Sequence, residues 1–63
     1  MIKLNGKEKP CRETLGVLLT EHQYQVGRIA VLVNGEIIKK ESWATHTLKP
    51  GDAIDVVSFV GGG

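Results

Sequence analysis

Cysteine occurs once in this chain of 63 residues, at Cys11, which excludes an internal disulfide and every zinc pattern built on several cysteines. A lone thiol also fits a reducing compartment. Aromatic residues are nearly as scarce. Tyr24, Trp43 and Phe59 are the complete set, too few for the stacking platforms that hold single-stranded nucleic acid. Charge of neither sign dominates, with 8 Lys+Arg against 7 Asp+Glu and no block of like charge longer than two residues. The resulting field argues for neither a nucleic-acid nor a membrane partner. No apolar run approaches the roughly 18 residues of a membrane span and no signal-peptide segment stands out, so a cytosolic location is expected. Length sets a further bound. One domain over 1–63 is expected, and at about 0.05–0.15 kcal/mol per residue its stability is roughly 3–9 kcal/mol, which leaves little for an elaborate catalytic pocket.

What is present is a chain of short, well-punctuated segments. Met1-Ile2-Lys3-Leu4 alternates apolar and polar and meets Asn5-Gly6, whose ability to take φ > 0 marks a type I′ hairpin turn. The return arm, Lys7 to Cys11, is polar and contains Pro10, which suits an edge. Thr14 then offers a hydroxyl as N-cap to a helix carrying Leu15, Leu18, Leu19 and His22 at i, i+3, i+4 and i+7. Gly16 lies inside that helix at a cost of about 1 kcal/mol relative to alanine, which close approach to a strand would rationalise. Gln23 to Arg28 reads as a link, with Tyr24 or Val26 closing the core's edge.

Ile29-Ala30-Val31-Leu32-Val33 is continuously apolar and predicts a strand in the middle of the sheet. Asn34-Gly35 repeats the hairpin signal, and Glu36 to Lys40 supplies the return strand. Glu41-Ser42-Trp43-Ala44 predicts one helical turn whose indole caps the core and whose N–H finds a backbone partner. Leu48 pins the following crossover loop. Pro50-Gly51 is the central pair of a type II turn leading into a last strand, Ala53 to Val60.

That strand sorts its side chains by parity. Ile54, Val56 and Val60 share one face, and Ala53, Asp55, Val57 and Phe59 share the other. If the first set packs on the helix, Val57 and Phe59 are exposed, either as scattered surface apolar residues or as a docking patch beside the chain's end. Residues 58–63 form an extended tail closing on Gly61-Gly62-Gly63. Such glycines are often only a frayed end. They also make the thinnest backbone available, able to thread a narrow channel, and six extended residues reach about 20 Å into a partner.

Hairpin, helix, hairpin, short turn and final strand make an α+β chain. One main helix across a face of a mixed sheet of four to five strands, with the last strand beside the first, is the ubiquitin-like β-grasp. Val33-Asn34-Gly35-Glu36, Glu41-Ser42-Trp43-Ala44, Leu48, the run Gly51-Asp52-Ala53-Ile54-Asp55-Val56-Val57 and the final glycines together resemble the ThiS family, the bacterial sulfur carriers of thiamine biosynthesis. The resemblance spans nearly the whole chain and rests on the order and spacing of the pieces. The chain departs from the usual family pattern in Lys39 for proline, Lys40 for arginine and three glycines for two.

The resemblance implies a carrier and co-substrate in place of an enzyme. A ubiquitin-activating-like adenylyltransferase would consume ATP to adenylate the carboxylate of Gly63, and sulfur from a cysteine desulfurase or other persulfide donor would convert it to a thiocarboxylate. Gly61 and Gly62 would thread the partner, while Val57, Phe59 and Val60 would contact it. Thiazole synthase would receive the sulfur, and the chain itself would bind no cofactor. A carrier for molybdopterin or another thiolated product, and a β-grasp module that binds RNA or protein, are the alternatives.

The other reactive side chains point to quiet roles. Cys11 has no Cys-X-X-Cys partner and is expected as a partly buried thiol. His22 and His46 stand 24 positions apart with no third ligand at metal spacing. Lys7-Glu8-Lys9 and Lys39-Lys40 are expected on solvated strand faces, where they could also orient an activating enzyme electrostatically.

Overall fold

The computed structural model describes residues 1–58, and Val26 in its backbone only. Two asparagine-glycine pairs make both hairpins. Asn5 and Gly6 lie at φ 51° and 83°, and Asn34 and Gly35 at 53° and 83°, the left-handed values a type I′ turn demands. The first turn joins β1 (Ile2–Leu4) to β2 (Lys7–Lys9), and the second joins β3 (Ile29–Val33) to β4 (Glu36–Ile38). Gly51, at φ 94°, follows Pro50 in the turn closed by the Asp52 N–H donating to Lys49 O at 3.0 Å. That type II turn launches β5 (Ala53–Ser58).

The five strands form one mixed sheet in the order β2-β1-β5-β3-β4. β5 runs parallel to β1 and antiparallel to β3. The sheet is covered on one face by α1 (Leu15–Glu21), whose N-cap Thr14 accepts the Val17 N–H at 3.3 Å. Leu15, Leu18 and Leu19 are buried there against Ile2, Leu4, Val31 and Ile54. This is the expected β-grasp arrangement, with the full five strands.

Several local expectations need correction. β5, not β3, is the central strand. The continuous apolar run of β3 reflects half-buried Ala30 and Leu32 on the open face, while Ile29, Val31 and Val33 alone are fully covered. Gly16 approaches no strand. A Cβ there would lie 3.2 Å from Ala44 Cα and 3.3 Å from Trp43 O, and its N–H donates to that same carbonyl at 2.8 Å, so it admits the turn after the second hairpin. β2 stops at Lys9, before Pro10 and Cys11, and β4 stops at Ile38. Lys39 and Lys40 are exposed but lie off the strand, and Lys40 opens a 3-10 turn, Lys40–Ser42, one residue earlier than expected.

Other expectations hold. The Trp43 indole is buried and its Nε1–H donates to Ile38 O at 2.9 Å. Leu48 is buried beneath the crossover loop. Tyr24 packs against the core's edge, and the side chain of Val26 lies outside the described residues. Cys11 is partly buried, as is His22, which caps the helix's C-terminal end instead of completing its stripe.

Candidate functional site

The site is the far end of β5 and the open face of the sheet around it. Ile54 and half-buried Val56 point to the helix, whereas Ala53, Asp55 and Val57 point away, as parity requires. Val57 is 51% exposed. Its register partner on β3 is Ala30, Asp55 faces Leu32, and Leu32 in turn faces Ile37 of β4. Ile37 is 69% exposed. Val57, Ala30, Leu32 and Ile37 therefore make an apolar strip across three strands, and an exposed apolar patch rimmed by polar residues is the usual mark of an interaction site. Among the expected contact residues the structure places Val57 on this strip. Phe59, Val60, Gly61, Gly62 and Gly63 lie outside the described residues.

Ile37 escaped the sequence reading, although a signal existed. In the two-sided strand Glu36-Ile37-Ile38 the adjacent isoleucines must face opposite ways, and Ile38 is the one packed against the core.

Both edges of β5 are held. Lys3 donates to Asp52 O at 2.9 Å and Asn5 to Ile54 O at 2.8 Å through their backbone N–H groups. Asn5 Oδ1 accepts the Val56 N–H at 2.7 Å. On the other side β3 stays paired out to Ile29 and Ser58. The foot of the strand is fixed by Asn34 and Asp52. Ala53 N–H donates to Asn34 Oδ1 at 3.0 Å, and the Lys49 N–H donates to Asp52 Oδ2 at 3.0 Å. The Lys49 N–H, with the Asn34 amide second, holds the Asp52 carboxyl below its usual range.

The remaining ionisable groups are dispersed. Arg12 and Glu21 form a bidentate pair at 2.8 and 2.7 Å on the exposed side of the helix, their hydrogen bonds raising the guanidinium and lowering the carboxyl. A shallow groove of about 500 Å³ beside them is lined by Thr14, Gly16, Val17, Thr20, Glu21 and Ala44, so its single ionisable group is already paired. His22 stacks on Tyr24 with ring centroids 6.5 Å apart, and His46 sits in a separate depression with Asp52 and Lys49. Among the described residues no three histidine, cysteine or acidic side chains converge as metal ligands. No helix among them is long and apolar enough to cross a membrane.

Comparison with known proteins bears on the role of this strand end. The ThiS family model matches residues 2–63. The chain belongs to the ThiS family. Such a chain is a sulfur carrier of thiamine biosynthesis and not a catalyst. The sulfur carrier protein ThiS of Bacillus subtilis is 38% identical, with all of both chains covered. The crystal structure of the thiamine biosynthesis protein ThiS from Geobacter metallireducens is 31% identical and superposes with a TM-score of 0.80, over 98% of this chain and 97% of the other. A thiazole synthase of Paramagnetospirillum magneticum is 36% identical over 95% of this chain, which spans only 19% of that larger protein. ThiS membership favours the thiamine carrier over the molybdopterin carrier and the RNA-associated module.

Proposed function

We propose that the chain carries sulfur on the carboxylate of Gly63 as a thiocarboxylate and delivers it for the thiazole ring of thiamine. The observation that carries this reading is the family match, which runs through the glycine run to residue 63. The chemistry agrees with the residue type. A carboxylate resists nucleophiles until it becomes a mixed anhydride, and a glycine leaves the attack trajectory clear of side-chain atoms.

In this reading an adenylyltransferase of the ubiquitin-activating kind transfers AMP from ATP to Gly63 and releases pyrophosphate. The terminal sulfur of a persulfide, charged by a cysteine desulfurase or another donor, displaces AMP, and a thiol then cleaves the acyl disulfide to leave the thiocarboxylate. Gly61 and Gly62 pass through the partner's channel. Val57, Phe59 and Val60, joined by Ala30, Leu32 and Ile37, meet its surface. ATP is consumed by the partner, and no cofactor resides on the chain. The lone, partly buried Cys11 suits a cytosolic setting.

Thiazole synthase is the recipient this reading favours, since a protein of that name carries a segment similar to this chain. Reconstitution tests it. The charged chain is expected to support thiazole formation with thiazole synthase and to leave molybdopterin synthase idle. The reverse pattern would redirect the sulfur to the other pathway.

A further inference from the structure

We propose that Asn5 is a positioning residue for the reactions at the glycine end, acting through the main chain of Val56. The inference rests on the carrier reading above and adds to it the device that aims the tail. β1 and β5 pair in parallel only at Lys3–Ala53 and Leu4–Ile54. Immediately afterwards the first strand reverses through Asn5 and Gly6. A continuing parallel ladder would give the Val56 N–H a main-chain carbonyl. Here the side-chain Oδ1 of Asn5 takes that place at 2.7 Å, across fifty-one positions of sequence.

The carboxamide is itself oriented. The Asn5 N–H is tied to Ile54 O at 2.8 Å, and Nδ2 reaches the Tyr24 hydroxyl at 3.4 Å. Val56 is thus braced on the β1 side two residues before β5 ends at Ser58. The turn alone does not require this group, because glycine takes φ > 0 at the same position without strain. The amide therefore has a second role, which is to fix the direction in which β5 leaves the sheet. A strand end held on both edges presents the glycine terminus to a partner's active site with less orientation left to lose on docking.

Asn5→Gly separates the two roles, since it keeps the turn and removes the brace. With the adenylating enzyme and ATP, the expected result is a KM for the carrier about three- to tenfold higher, with kcat unchanged. Asn5→Asp, which retains an acceptor oxygen, should restore KM to within about twofold of the original. Thr14→Ala, which weakens the helix cap and takes no part in the Asn5–Val56 bond, should leave KM alone. Hydrogen exchange on the unaltered chain needs no variant and should find the Val56 amide as protected as its ladder neighbours. An unchanged KM in Asn5→Gly, an equal rise in Thr14→Ala, or a Val56 amide exchanging as fast as that of Gly6 would overturn the proposal. Failure of the unaltered chain to be adenylated would instead sink the carrier reading, and this proposal with it.

Discussion

Asn34 donates from Nδ2 to Asp52 Oδ1 at 3.0 Å, linking the turn of the second hairpin to the turn that starts the central strand. The same carboxylate accepts the Lys49 N–H through its other oxygen, so a single side chain ties the two turns together at the foot of β5. With Asn5 gripping the strand near its other end, β5 is fixed at two levels by asparagines that also take the left-handed backbone of the two hairpin turns.

This link makes stability depend on acid pH. The folded-state pKa of Asp52 is lowered from its ordinary 3.8. Its contribution is therefore fully present above the unfolded carboxylate's pKa and is lost as pH falls through the lower, folded value. Asp52→Asn, with one acceptor oxygen where the carboxylate has two, should lose about 1 kcal/mol at neutral pH and show a shallower loss of stability toward acid. Urea midpoints between pH 2 and 7 would measure both, on the order of the range where carboxylates titrate. The slope that remains in the variant belongs in part to Glu21, held low by Arg12.

Gly16 sets how closely the helix sits on the Trp43-Ala44 turn. A Cβ would press on backbone atoms at 3.2–3.3 Å, and backbone yields less readily than a side-chain tip. Gly16→Val is expected to cost about 1–3 kcal/mol by overpacking, despite valine's better helix propensity. Thermal unfolding would show a drop of roughly 4–8 °C per kcal/mol in a domain of this size.

Val57 is exposed on the open face and supports no core contact of the helix. Val57→Lys should change stability by less than about 1 kcal/mol while raising the adenylating enzyme's KM for the carrier tenfold or more, about the effect of losing an apolar anchor. Ile37→Lys tests whether the strip extends to β4. An unaltered KM in both variants would remove the open face from the docking surface.

The turns were legible in the sequence because each rests on a local backbone requirement. Asn5, Gly6, Asn34, Gly35 and Gly51 adopt the positive φ that their residue types permit, while proline at position 50 presets the negative φ of its turn's first central position. Trp43 was legible because a large indole must be both buried and hydrogen-bonded. The hidden features depend on pairing between distant segments. The central place of β5 could not be read from its pattern, since Ala53, Asp55 and Val57 are exposed and make it look peripheral beside β3. Nor does spacing betray that Asn5 meets Val56, or that Gly16 makes room for Ala44, since both contacts arise only when the sheet is assembled.

The most direct test of the carrier reading is the intact mass of the chain after incubation with ATP, an adenylating enzyme and a sulfur donor, followed by fragmentation. The expected product has one oxygen exchanged for one sulfur, confined to the peptide that ends in Gly61-Gly62-Gly63 and absent when those glycines are removed. An unchanged mass with an enzyme proven competent, or sulfur found on Cys11, would contradict it.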